Sequence, residues 1–316
     1  MRLPDIEIIY ADKEDSVKSP RKSYVAVYHG LTRIYSRKLN IERIKVIAKI
    51  ARAKRARALI LPAYFNTGPI IEFSDLSQRK YMLRLFEQVS DTTIDSLRGI
   101  ALSERIDILV SSFLEKAGAH HYISSLMILK DGSIGGRYRK ILLSEKEDLY
   151  GVKSGKKIVV FNTSKINYGV VINDEIMVPE LCRGLKALGA NIIVVPVNPL
   201  GFKYKMAYIV GRVRALENDI AVLFVGGVIE HHDKIVSAAP TVLISNAGDP
   251  LFEYNENKPA LIFFDIDTLA KESAGILDVL TIYHINKIVF SELKKLQREL
   301  KEKLYSQLHT QKEEES

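Results

Sequence analysis

The chain has 316 residues, 47% hydrophobic and 27% charged, with a formal net charge of +8, a composition ample for a large buried core. Its one cysteine, Cys182, rules out an intramolecular disulfide and a Cys-rich zinc site, and is expected to be a small buried apolar side chain. Its longest apolar stretch, 220–229, falls well short of the about 20 residues of a membrane-spanning helix.

The first sixteen residues are polar and acidic, without a basic segment followed by an apolar one. A secretory leader is therefore not expected, and a cytoplasmic location is. Abundant Ile, Lys, Arg and Glu without Trp lean toward a thermophile.

In chain order, residues 1–22 read as an extension and 24–28 as the first strand. Residues 31–57 carry ten basic side chains against one acid, Glu42, a local charge of +9 that leaves −1 for the rest of the chain. Within this segment 41–53 has helical periodicity, with Ile41, Ile44, Ile47, Ala48 and Ala51 on one face. Lys45, Lys49 and Arg52 form a basic stripe beside it, with Arg55 following. Such a stripe suits nucleic acid or an acidic protein partner. The competing reading is a solvated outer face, because no aromatic residues alternate with the cations to stack on bases.

Further strands are expected at 58–61, 106–111, 125–130, 158–162, 168–172, 191–197, 221–228, 241–245 and 260–265. Helices are expected at 79–97, 178–188 and 204–218. Lys130-Asp131-Gly132 and Asn246-Ala247-Gly248-Asp249 read as hairpin turns. Strand–helix alternation mixed with hairpins predicts α/β layers around a mixed sheet. From 291 to 308, Leu293, Leu296, Leu300, Leu304 and Leu308 make a narrow apolar stripe on a charged helix, suited to packing on a body or a partner. The expected organisation is an extension (1–22), one domain (23–290), and a C-terminal amphipathic helix with a polar tail (291–316).

Three segments carry a family resemblance. The first runs from Val25-Ala26-Val27 through Asn40-Ile41-Glu42 to Leu61-Pro62-Ala63. The second is Asp131-Gly132 followed by Gly136-Arg137-Tyr138-Arg139-Lys140. The third is Gly169-Val170-Val171-Ile172-Asn173-Asp174-Glu175, then Pro179-Glu180-Leu181 and Leu188-Gly189-Ala190-Asn191. Arg214-Ala215-Leu216-Glu217-Asn218, Gly248 and Asp265 continue the order. Together they resemble the nitrilase, or carbon–nitrogen hydrolase, superfamily from about Tyr24 to Asp267.

The resemblance implies a four-layer αββα sandwich and a Glu-Lys-Cys triad. In that chemistry a thiolate attacks the carbon, the Glu is general base and the Lys stabilises the oxyanion. Carried over by position, the Glu site is Ala63, the Lys site is Lys140 and the Cys site is Asn173, so of the three only the lysine is kept. A second family Glu after the lysine has candidates in Glu145, Glu147 and Asp148. Cys182 lies nine residues beyond the elbow on a predicted helix, about 13 Å along it, and cannot stand in for the missing thiol.

The reading that follows is a pseudoenzyme that acts by binding, as a scaffold, a regulatory subunit or a nucleic-acid-associated factor. The alternative is an amidase-type hydrolase rewired around Lys140, Asp174 and Glu175, with Glu147 as a further acid. The competing reading of Lys140 is a structural lysine paired with a nearby carboxylate. The pairs His120-His121 and His231-His232 sit on strands where neighbours face opposite ways, so no metal site is expected, and no cofactor. Family members commonly pair, often through C-terminal segments, so a homo-oligomer using the leucine stripe is expected.

Overall fold

The computed structural model describes residues 6–11, 22–201, 204–269 and 279–314. Strands β1 (Glu7–Tyr10) and β2 (Tyr24–Arg33) precede α1 (Arg37–Ala53) and β3 (Ala56–Ile60). Short helices α2 (Ile70–Phe73) and α3 (Arg79–Met82) lead to α4 (Thr92–Glu104). An antiparallel meander β4 (Asp107–Ala117), β5 (His120–Ile128) and β6 (Ile134–Arg139) follows. Next come α5 (Glu145–Leu149), β7 (Val160–Asn162), β8 (Asn167–Val170), α6 (Pro179–Ala187), β9 (Ile192–Pro196) and α7 (Tyr204–Asn218). The last strands are β10 (Ala221–Val225), β11 (Gly227–His231), β12 (Lys234–Ala239), β13 (Thr241–Ile244), β14 (Pro250–Tyr254) and β15 (Ala260–Asp265), followed by α8 (Ile266–Leu269). Helix α9 (Val279–Glu314) belongs to a second unit, 275–316, distinct from the unit 1–274.

The strands form two mixed sheets. Among the described residues one has nine strands, ordered β1-β15-β2-β3-β4-β5-β6 with β11 and β12 joined to the end of β2. The other has six, ordered β14-β13-β10-β9-β8-β7. Side-chain alternation assigns the layers. Along β2, Val25 and Val27 enter a core shared by both sheets, whereas Tyr24, Ala26 and Tyr28 enter a core beneath α1 and α4. Along β9, Ile192 and Val194 enter the shared core, and Ile193 and Val195 pack toward α6 and α7. Three cores between four layers give the αββα sandwich. Central strands such as β2 and β9 are apolar on both faces, so helix on one side and sheet on the other are both required there. Full burial of one such Val or Ile is worth roughly 2 kcal/mol.

The structure departs from the sequence reading at several points. Residues 79–97 are not one helix. The chain turns extended at Phe86, and buried Glu87 docks on β4, its N–H donating to Leu114 O (3.0 Å) and its carbonyl accepting from Lys116 N (2.8 Å). The Glu87 carboxylate takes Asn66 Nδ2 (3.1 Å) and faces Arg37 Nε (3.2 Å). These tertiary partners override the helical periodicity, and α4 restarts after Asp91. The terminal helix begins at Val279 rather than near residue 291.

The stretch 221–228 is two strands in different sheets. Gly226 makes the crossing: a Cβ there would collide with the carbonyl oxygens of Ala239 and Pro240. The pair His231-His232 also differs from expectation. His232 and Asp233 have φ of 47° and 58° and form the β11–β12 turn, which brings the two imidazole centroids to 3.9 Å rather than placing them on opposite faces. Gly226→Ala is expected to cost about 3 kcal/mol or more through backbone overlap, read as a lowered midpoint in chemical denaturation.

Candidate functional site

Three segment ends converge where the sheets face one another. The first follows β3. Ala63 makes an isolated parallel bridge with Ser112, and Tyr64, at φ 50°, donates its N–H to Ser112 O (3.1 Å). Both side chains are buried. The second follows β6. Lys140 donates its backbone N–H to Ile123 O (2.8 Å), and its Nζ lies 2.7 Å from each Glu147 oxygen. Both side chains are 1% exposed, so this ion pair is wholly internal. Glu147 is further held by a capping box: its carboxylate accepts Ser144 N (2.7 Å) while Ser144 Oγ accepts Glu147 N (3.2 Å). Of the three acids expected near the lysine, Glu147 is the one that meets it.

The third segment follows β8. Asn173 has φ 55°, the left-handed conformation of a sharp elbow, and its Oδ1 accepts Asn198 N (2.6 Å). Two residues on, Glu175 is fully buried and accepts four hydrogen bonds. The donors are Ile172 N (2.7 Å), Ile141 N (2.6 Å), Leu142 N (3.1 Å) and Tyr138 Oη (2.7 Å). Burial raises its carboxyl above the ordinary range, against the lowering effect of those bonds. With both oxygens engaged, Glu175 is a clasp rather than the free acid or base that a site rewired around it would need. Asp174 is only partly buried.

The sequence reading missed Glu72 on α2. Its Oε2 is buried without a hydrogen-bond partner, as is Tyr64 Oη nearby. Lys146 Nζ holds the Glu72 backbone carbonyl at 2.9 Å, tying α2 to α5. Burial, and then the Glu147 carboxylate, push the Glu72 carboxyl up to about 7, against the pull of Lys140 and Asn198. Burial, with the charges of Glu72, Glu147, Asp174 and Glu175, likewise holds the Tyr64 phenol well above its usual value. No spacing rule links Glu72 to Lys140; only the α2–α5 packing joins them.

Ala63 and Pro62 line a crevice with Gly30, Val197, Pro199 and Gly227, about 160 Å³ in extent but too tight for a water molecule. Cys182 lies buried on α6, its thiol pushed up to about 12 by burial, a packing residue as expected. Among the described residues no three His, Cys, Asp or Glu side chains are grouped to hold a metal ion, and no helix is long and apolar enough to cross a membrane.

The basic segment is partly spent on internal pairs. Arg33 pairs with Glu230 and Asp233, Arg43 with Glu230 and Arg37 with Glu87. Lys45 and Lys49 are exposed on α1, and Arg52 is half-buried. Arg55 is exposed but engaged. Three of the segment's ten cations are thus paired with carboxylates from elsewhere in the chain.

A profile of the carbon-nitrogen hydrolase family matches residues 24–273, and the chain belongs to that family. The (R)-stereoselective amidase of Pseudomonas sp. is 27% identical over 194 residues, 60% of this chain and 68% of that protein. The probable hydrolase YhcX of Bacillus subtilis is 24% identical over 204 residues, 64% of this chain but 39% of its own length, so this chain spans well under half of that relative. Among solved structures, the NitN amidase of Nesterenkonia sp. AN1 shares the fold with a TM-score of 0.63 and 21% identity, covering 80% of this chain and 97% of that one.

The raised Glu72 carboxyl has a thermodynamic signature. Its folded value of about 7 lies above the ordinary 4.5, so its contribution to stability is complete below pH 4.5 and is lost as pH rises through 7. Glu72→Gln removes that loss. The variant is expected to gain up to about 3 kcal/mol on the wild type between pH 5 and 8, read from denaturation midpoints across that range. A constant difference at all pH values would contradict the raised carboxyl.

Proposed function

We propose that this carbon–nitrogen hydrolase-fold protein does not run thiol-dependent amide or nitrile hydrolysis and acts by binding. The observation that carries this reading is the elbow. Asn173 holds the left-handed position that the family resemblance assigns to the nucleophile, and its side-chain oxygen is committed to Asn198 N. An amide is no nucleophile there, and Ala63, at the position assigned to the base, cannot accept a proton. The sole thiol, Cys182, is buried on α6. Lys140 is then a structural cation for Glu147. Removing one partner of such a buried pair costs about 3–5 kcal/mol, so loss of function in a Lys140→Ala protein would not identify a catalytic lysine.

A panel of amides, nitriles and N-carbamoyl compounds is expected to give no saturable turnover above background, and iodoacetamide no labelling of the native protein. A second reading is supported by Glu72: an amidase-type hydrolase in which its carboxyl, titrating near neutrality beside Lys140 and Glu147, activates water directly. Turnover that rises with pH through about 7 and is abolished in Glu72→Gln would favour that reading and sink the first.

The partner surface in the binding reading is α9, with the exposed α1 lysines as a lesser polyanion contact. Tyr283, Ile288, Phe290, Leu293, Leu296 and Leu300 are each at least half exposed. An apolar face of that size calls for a partner, and a second copy of the chain is the simplest. Light scattering is expected to give a dimer or larger, reduced to monomer in a Leu293→Lys/Leu296→Lys/Leu300→Lys protein. A monomeric wild type would remove the oligomer.

A further inference from the structure

A cavity of about 380 Å³ opens on the side of the β5–β6 hairpin turned away from the triad region. Alternation on β6 separates the two: Tyr138 points inward to Glu175, whereas its neighbours Arg137 and Arg139 point outward into the cavity. Lys156 and Lys157 close the opposite wall, and none of the lining residues is acidic.

The two arginines are held in place before any ligand arrives. Both bond to Glu115 on β4, which is completely buried. Arg139 Nε and Nη2 grip its two oxygens at 2.9 and 2.6 Å, Arg137 Nη1 adds a bond at 2.8 Å, and Ser124 Oγ a fourth. The Arg139 guanidinium also stacks 3.8 Å over the Tyr122 ring, another wall of the cavity. Each guanidinium has five N–H donors, so donors remain beyond those taken by Glu115. Ordering these long side chains is normally a cost of binding; here it is met in advance.

The lysine wall is equally defined. Lys153 N donates to His121 O (2.8 Å) and Gly155 N to Lys140 O (2.7 Å), which zips this segment to the hairpin. Glycine is required at 155, since a Cβ would run into the Arg139 carbonyl. Four cations surround the space and Glu115 offsets one, leaving a local charge of +3. A monocarboxylate would balance only a third of it. A dianionic phosphoryl group balances most of it and matches the fork of the guanidinium. The volume lies in the range of small-molecule sites, roughly 300–1,000 Å³, and Tyr122 and Val159 offer an apolar wall to an organic remainder.

We propose that the cavity formed by Tyr122, Arg137, Arg139, Lys156 and Lys157 is a binding site for a small phosphate monoester. This goes beyond the reading of the triad region and does not depend on it.

Isothermal titration calorimetry of the full chain at low ionic strength tests the site with inorganic phosphate, phenyl phosphate, benzoate and chloride. One-site binding of both phosphates is expected, at least tenfold tighter than benzoate. Equal affinities would mean that the phosphoryl group is the whole ligand, and tighter phenyl phosphate that the organic part adds contacts. A Lys156→Ala/Lys157→Ala protein, altered only at exposed side chains, should lose at least tenfold in affinity with an unchanged melting temperature. Arg137→Ala, which leaves Arg139 on Glu115, should lose a similar factor. Lys234→Ala, at an exposed side chain outside the cavity lining, should bind as the wild type does. The proposal is overturned by absence of saturable phosphate binding, by equal affinity for benzoate, or by insensitivity to the Lys156/Lys157 change. It is also overturned if oligonucleotides of increasing length bind progressively tighter and compete with phosphate, which would assign the surface to a polymer.

Discussion

The carboxylate of Glu175 clasps the two sheets. It takes the Ile172 N–H at the end of a six-stranded-sheet strand, and the Ile141 and Leu142 N–H groups with the Tyr138 hydroxyl at the end of a nine-stranded-sheet strand. Backbone donors at the ends of strands have no ladder partner, and leaving them unpaired in a dry interior costs about 1–3 kcal/mol each. One buried acid answers three such demands and a buried phenol besides. It thereby sets the elbow at Asn173 and the approach of Lys140, and the central region takes its shape from that.

Around the clasp, polar groups divide into satisfied and unsatisfied. Lys140 and Glu147 satisfy one another, and the capping box of α5 consumes what remains of the Glu147 oxygens. Tyr64 Oη and Glu72 Oε2 have no partners. Buried polar atoms left this way are uncommon and need a reason. The high value of Glu72 supplies part of one, since a carboxyl that stays protonated near neutrality escapes the cost of an internal anion. The region thus combines a buried ion pair and a raised carboxyl with an elbow that carries an amide. The family's fold places groups at this point whether or not they react.

The outer face follows a different rule. Its cations are arranged by buried acids: Glu230 gathers Arg33 and Arg43, Glu87 receives Arg37, and Glu115 receives Arg137 and Arg139. At Glu230 and Glu87 the pairing consumes charge that the sequence shows as surplus. At Glu115 two arginines share one acid, and with the lysines opposite the surplus is concentrated in a cavity. Net charge along the chain does not show which cations are paired, because ion pairing depends on neighbours in space.

Much of the architecture was legible in the residues. Period-two apolar runs marked most of the strands of both sheets, and helical periodicity marked α1, α6 and α7, because burial on one or two faces imposes those periods directly. The order of motifs from Val25 to Asp265 located the elbow, the lysine and the alanine opposite, since each is tied to the end of a predictable strand. What the linear pattern lacked was everything decided by long-range partners. Docking of Glu87 on β4 broke the expected 79–97 helix, and crowding at Gly226 divided one apolar run between two sheets. Packing of α2 on α5 brought Glu72 to Lys140, and the four donors on Glu175 turned an apparent spare acid into a clasp. Local periodicity reports which faces are buried; only the folded chain decides which polar groups those burials bring together.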